Sequence, residues 1–143
     1  MSNIRIEPAK KEDYEQLRTI FFQSRKESFH WVDSSTLKMD DFDHSVEGEL
    51  ILAASVDNQI AGFISIWEED NFIHNLFVSP EFKRFGIGRA LLDEAVRLKG
   101  KPMSLKCVME NKNAFQFYLS QGWRIEKEVT DSEEPYYFMV LAE

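Results

Sequence analysis

A chain of 143 residues, 43% hydrophobic and 13% aromatic, has the length of one domain and the apolar supply for a substantial core. A net charge of −8 excludes non-specific nucleic-acid binding, which needs a basic surface. No stretch reaches the ~20 apolar residues of a membrane helix, and the single cysteine, Cys107, rules out an internal disulfide.

A single domain over residues 1–143 is therefore expected, with neither nucleic acid nor membrane as partner. The first residues lack the apolar run of a signal peptide, so a cytoplasmic location is expected. The acidity favours a cationic partner such as an amine, although solubility alone also accounts for it.

Residues 4–7 alternate like a short strand that Pro8 closes. A helix is predicted over 11–29. Tyr14, Leu17, Phe21 and Ser24 form its apolar stripe with Ile20 beside it, and Glu12 and Asp13 sit in its first turn, where the helix dipole favours acids. Residues 29–46 are less regular; Asp33, Ser34 and Ser35 are turn formers, and 40–43 read as one helical turn. Strands follow at 49–56 and 60–67, joined by Asp57 and Asn58, which both tolerate positive φ. After a turn at 68–71 comes a fourth strand at 72–78, the last of three successive antiparallel strands.

The helix predicted over 86–99 puts Ile87, Leu91, Ala95 and Leu98 on one face, and Gly100 and Pro102 end it. Residues 103–109 form a fifth strand, parallel to the fourth because the crossover contains a helix. Asn111 caps a helix that runs to 121, Gly122 ends it, and strands at 123–129 and 136–142 pair across a polar loop. The order is β-α-(α)-β-β-β-α-β-α-β-β. This is a mixed α/β fold, with a mostly antiparallel six- to seven-stranded sheet and helices on both faces.

The chemistry centres on the fourth strand and the glycines behind it. A strand feeding Gly86-Ile87-Gly88 at a helix start makes an anion site, because the first helical N–H groups have no partner within the helix. A P-loop requires Gly-Lys-Ser/Thr at the helix start, and Gly88 is followed by Arg89 and Ala90. A dinucleotide fingerprint wants Gly or Ala where Leu91 stands, in an all-parallel unit. Both alternatives are weakened. A second motif adds specificity: Asn111 and Tyr118, seven residues apart, share one helix face.

The spacing Lys83-x-x-Gly86-x-Gly88, followed by Asn111-x-x-Ala114-x-x-Phe117-Tyr118-x-x-x-Gly122-Trp123, resembles the GCN5-related N-acetyltransferase (GNAT) superfamily over most of the chain. The resemblance implies acetyl-CoA as cosubstrate. Its pyrophosphate would be bound by backbone amides within Lys83, Arg84, Phe85, Gly86, Ile87, Gly88 and Arg89, and its pantetheine arm by Leu76, Phe77 and Val78, where the fourth strand splays from the fifth. Asn111 would contact the cofactor and Tyr118 would sit near the thioester sulfur. The family usually has Gln or Arg at Lys83; Lys keeps the charge but loses the planar fork.

The implied reaction is acetyl transfer to a primary amine of a small molecule or peptide by direct attack in a ternary complex. A non-catalytic acetyl-CoA-binding sensor or interaction module is the second reading. Tyr118 is expected to assist the leaving sulfur as hydrogen-bond donor or as acid, and His74, on the fourth strand and one face with Phe72 and Leu76, is the first candidate base. Glu68 and Glu69 stand behind it. Some family members place a Glu where this chain has Lys106, which cannot act as base while charged. Moving a proton from an amine to an ordinary imidazole costs on the order of 5 kcal/mol in water, so a water chain or a neutral amine would help.

Cys107 looks buried and is not expected to be a nucleophile. Substrate contacts are expected from Phe29, Trp31 and Glu68, with Asp33, Asp40, Asp41, Asp43 and the loop at 130–137; aromatic faces and carboxylates suit a cation. A solvated acidic face with core aromatics is the alternative, and Arg25 is a candidate for an acidic group on the substrate. No metal is expected, and either a monomer or a homodimer is compatible with the chain.

Overall fold

The computed structural model describes residues 3–142; Met1, Ser2 and Glu143, the ends of the expected domain, lie outside the described residues. The elements run β1 (Ile4–Pro8), α1 (Tyr14–Ser28), α2 (Asp41–Ser45), β2 (Leu50–Val56), β3 (Gln59–Trp67), β4 (Phe72–Val78), α3 (Ile87–Lys99), β5 (Met103–Val108), α4 (Lys112–Ser120), β6 (Arg124–Val129) and β7 (Tyr136–Leu141). Pro8 closes β1 as expected, itself pairing with Leu52 as the last residue of the strand. Proline is tolerated there because β1 is an edge strand. Asp57 (φ 50°) and Asn58 (φ 67°) make the left-handed turn that a two-residue hairpin requires.

The sheet has seven strands in the order β1-β2-β3-β4-β5-β7-β6, and β4–β5 is its parallel pair. Each face carries its own core. On one face Leu17, Ile20 and Phe21 of α1 and Phe42 of α2 pack on Ala53 and Phe63. The rings meet edge-on, Phe42 to Phe63 at 5.2 Å and Phe21 to Phe77 at 5.0 Å, an arrangement aromatic quadrupoles favour. On the other face Leu91 and Ala95 of α3 join Ile64, Ile66, Met103, Leu105, Trp123 and Met139. Leu98 departs from expectation. It is 47% exposed, and Leu92 takes its place at 3%. The buried stripe of α3 is thus Ile87, Leu91, Leu92 and Ala95.

Two features position the site. First, β4 and β5 pair only at Phe72↔Ser104 and Ile73↔Leu105. Beyond that, β4 keeps pairing with β3 to Val78↔Gly62, and β5 with β7 to Val108↔Tyr136. The two strands therefore part into a fork whose inner edges are unpaired with one another. Second, α3 starts hard against the sheet. A Cβ on Gly62 would lie 2.6 Å from the Phe77 carbonyl oxygen and 3.1 Å from Ile87 Cγ2, so only glycine admits this approach.

Candidate active site

The fork offers backbone groups on its β4 side. Ser79 N–H donates to Ala61 O at 2.7 Å. By the alternation of an antiparallel ladder, Phe77 and Asn75, opposite Phe63 and Ser65, also turn their polar groups to β3. Leu76 and Val78 then face the gap. Phe77 thus differs from the other two expected contacts: its side chain packs on Phe21, Phe29 and Phe63 beneath the sheet. The Val78 carbonyl is steadied by Ser24 Oγ, which donates to it at 3.1 Å.

At the mouth of the fork sits the glycine loop. Arg84 (φ 70°) and Gly86 (φ 79°) both take left-handed backbone, two residues apart. Such alternation turns successive N–H groups into a concave nest. Among the described residues nothing outside its two chain neighbours lies within 4 Å of where a Gly86 Cβ would stand, and Gly86 is the residue that leads into α3. Among the described residues no chain acceptor receives the backbone N–H of Gly86, Ile87, Gly88 or Arg89. Gly88 packs close to α4 and β4: a Cβ there would stand in ordinary van der Waals contact, 3.4 Å from Phe117 and 3.8 Å from Val78. Lys83, Arg84 and Arg89 are exposed around this nest, so a chain of net charge −8 is locally basic where it presents free N–H groups. The donor set, the basic rim and the open space fit a pyrophosphate.

His74 is the first β4 residue past the last β4–β5 pair, as Lys106 is on β5. It does not share a face with Leu76 in the simple alternation expected. The register jumps from Asn75↔Ser65 to Ile73↔Ile66, which leaves His74 as the extra residue of a β-bulge. Ile73 and Leu76 consequently pack in the same core cluster although three residues apart. Bulges re-aim side chains, and this one brings His74 Nδ1 to 2.7 Å from Glu49 Oε2. The His74 side chain is 44% exposed, while that of Glu49 is only 6% exposed. Beside them Asn75 Nδ2 donates to Ser65 Oγ (2.9 Å) and Ser45 Oγ (3.0 Å), tying β4 to α2. Lys106 is held over the Tyr136 ring, 5.0 Å from its centroid.

Asn111 caps α4 as expected, its Oδ1 accepting from Ala114 N–H at 3.2 Å. Tyr118 lies two turns along α4, packed on Phe117 and edge-on to Trp123 at 5.9 Å. Burial pushes its phenol above the ordinary tyrosine value, and the neighbouring Cys107 adds to the shift. Cys107 is 3% exposed, and burial alone pushes its thiol up to about 11. It is therefore protonated at neutral pH and unfit as a nucleophile.

The expected acceptor residues divide. Phe29 and Trp31 stack at 4.7 Å, and Trp31 Nε1 donates to Glu134 Oε2 at 3.0 Å. Trp31 and Asn111 line one cavity of about 260 Å³ with His30. Lys106, Tyr136, Glu133 and Glu134 line another, and the Trp31–Glu134 bond brings the segment after α1 to this loop beside β5.

Three of the other acids have partners of their own. Asp41 accepts from Lys38 N–H and Arg25, Asp43 takes a two-bond fork from Arg18, and Asp33 accepts from Ser35 N–H. Arg25 also lies 4.0 Å from the Phe21 ring centroid and donates to the Phe21 carbonyl, so it is a structural clamp rather than a substrate anchor. Glu68 is not brought to the open end of the fork. It pairs with Lys99 Nζ at 2.7 Å, in the turn before β4, beside the last turn of α3.

Glu49 is the residue that sequence reasoning missed. Its one signal is a charged side chain leading into the apolar run Leu50-Ile51-Leu52. Its contact depends on a β-bulge 25 residues away that no local pattern announces.

Comparison with known proteins agrees with this geometry. The family model described as the acetyltransferase (GNAT) family matches residues 12–123. Over 69 residues the chain is 36% identical to the peptidyl-lysine N-acetyltransferase YiaC of Escherichia coli; the match spans 48% of this chain and 46% of that protein. The chain thus matches about half the length of that curated relative. Among solved structures, a GCN5-related N-acetyltransferase from Rhodopseudomonas palustris superposes with a TM-score of 0.82 at 20% identity, over 100% of this chain and 98% of the other. The PaiA N-acetyltransferase of Thermoplasma acidophilum, solved with coenzyme A, gives 0.81 at 22% identity over 99% of each chain. At such identity these two speak for the fold alone. With the family model covering most of the chain, nest and fork included, this protein belongs to the acetyltransferase (GNAT) family.

Proposed function

We propose that the protein transfers an acetyl group from acetyl-CoA to a primary amine, by direct attack while both substrates are bound. The observation that carries this reading is the fork of β4 and β5, flanked by the free N–H groups that lead into α3. Acetyl-CoA supplies a thioester carbonyl as electrophile and a thiolate as leaving group. The nest from Lys83 to Arg89 holds the pyrophosphate, and Leu76 and Val78 hold the pantetheine arm in the manner of an added strand. A backbone N–H on the β4 edge donates to the carbonyl oxygen as its negative charge grows.

His74 Nε2 takes the proton released by the attacking nitrogen. Tyr118 remains a neutral phenol across the physiological range, because its pKa is raised. It therefore serves the sulfur as a hydrogen-bond donor more readily than as an acid. The relative named a peptidyl-lysine N-acetyltransferase makes lysine side chains the first acceptors to try. Trp31, Glu133 and Glu134 suit such a cation through a ring face and negative charge.

A thiol-release assay across lysine peptides, N-terminal peptides, polyamines, amino acids and aminoglycosides tests the reading. One acceptor class should be acetylated, with turnover lowered by His74→Gln. Stoichiometric acetyl-CoA binding without acetylation of any class would favour a sensor instead.

A further inference from the structure

We infer that Glu49 is a positioning residue for the reaction: its buried carboxylate fixes the tautomer and orientation of His74 and leaves Nε2 as the proton acceptor. The inference rests on the base role given to His74 above, and it adds the residue that makes His74 competent.

Three observations converge. Glu49 Oε2 and His74 Nδ1 are 2.7 Å apart, a length that places a proton between them. A carboxylate accepts, so the proton sits on Nδ1 and the lone pair of the neutral ring on Nε2. Next, the Glu49 side chain is 6% exposed, and its second oxygen, Oε1, is buried with no hydrogen-bond partner among the described residues. A buried carboxylate with an orphan oxygen is costly to keep, and stability alone would favour an apolar side chain there. Finally, the contact exists because β4 spends an extra residue on it. Without the bulge between Ser65 and Ile66, alternation would carry His74 to the other face.

The location gives the contact its use. His74 follows the Ile73↔Leu105 pair where the strands part, at the inner end of the fork. Among the described residues Glu49 is the only carboxylate in ion-pair contact with it. As the amine nitrogen bonds to the carbonyl carbon, its proton forms the Nε2–H bond. Nδ1–H stays on the ring, the imidazolium charge faces Glu49, and the electron pair of the broken C–S bond leaves on sulfur. A ring without this anchor would divide its time between tautomers and rotamers, and only a fraction would present Nε2.

The test combines a spectroscopic signature with turnover. Imidazole ¹⁵N shifts of the folded protein, with His74 assigned through His74→Gln, report which nitrogen carries the proton, whether or not an acceptor is known. Wild type should show the Nδ1–H form once the ring is neutral. Glu49→Leu should lose that signature and lower kcat by about 100-fold with a lysine peptide or spermidine as acceptor, the usual scale of a general base. KM for acetyl-CoA should stay within about twofold. Glu49→Gln keeps an acceptor oxygen and the side-chain shape, so it should fold, retain much of the Nδ1–H signature, and show an intermediate kcat. An unchanged tautomer in Glu49→Leu, or in Glu49→Gln a wild-type kcat with an Nε2–H ring, overturns the inference. A lost signature with wild-type kcat overturns it too. If His74→Gln retains full turnover, the base assignment itself fails, and the ¹⁵N data then still tell whether the Glu49 contact exists.

Discussion

Trp31 Nε1 donates to Glu134 Oε2 at 3.0 Å, across 103 positions of sequence. The residue just past α1 and the loop before β7 are thereby joined beside β5. Removing the indole N–H while keeping an aromatic ring isolates that link. Trp31→Phe should raise the acceptor KM by about 2- to 10-fold, the worth of one net hydrogen bond, and leave acetyl-CoA binding unchanged. Steady-state kinetics with each substrate varied in turn would check it.

Tyr118 is proposed to donate a hydrogen bond to the sulfur, and burial holds its proton tightly. Tyr118→Phe should lower kcat by about 100-fold, the low end of the range for a single transition-state donor, while calorimetry finds acetyl-CoA affinity nearly intact. Because the phenol titrates above its ordinary value, it should contribute no alkaline fall in activity below about pH 10. Equal turnover in the variant would remove Tyr118 from the mechanism.

The buried thiol makes a prediction about stability. The folded Cys107 titrates at about 11 from burial, above the ordinary thiol value of about 8.5. The unfolded chain therefore loses this proton first. The thiol's contribution is fully present below about pH 8.5 and declines as pH rises towards 11. Cys107→Ala should flatten the fall of Tm with pH across that window, relative to wild type. In the native protein at pH 7.5, alkylation by iodoacetamide should be slow and should accelerate on addition of urea.

Acid stability has the opposite sign. Lys38 N–H first, with Arg25, holds Asp41 below the ordinary carboxylate range, and Arg18 does the same for Asp43. Their contribution is complete above about pH 4 and is lost as pH falls through their lowered values. Both carboxylates are about a third exposed, so each pair contributes ~1 kcal/mol or less. Asp43→Asn should cost that amount at pH 7 in urea melts and progressively less as pH falls below about 4.

Much of this was legible in the chain itself. The stripe of α1, the left-handed pair Asp57 and Asn58, the Asn111 cap and the parallel β4–β5 step all follow from local chemistry, and the glycine loop from its backbone demands. What stayed hidden depends on register. Period two puts His74 with Leu76; a one-residue bulge against β3 overrides it and delivers His74 to Glu49. Asp41 and Asp43 read as substrate acids because a sequence does not say which arginine lies across from them. Gly62 is another such case. It looks like an ordinary strand residue, yet the Phe77 carbonyl of β4 and Ile87 at the start of α3 leave no room for a Cβ. Gly62→Ala should therefore destabilise the fold by about 2 kcal/mol through overpacking against the Phe77 carbonyl.

The nest leading into α3 and the fork beside it are proposed to hold acetyl-CoA. Isothermal titration of wild type and Gly86→Val with acetyl-CoA tests it most directly, since a β-branched side chain disfavours the φ of +79° that shapes the nest. One molecule per chain should bind wild type, and the folded variant should bind at least about 10-fold more weakly. No binding to wild type at millimolar acetyl-CoA, or equal affinity for the two proteins, would contradict the account.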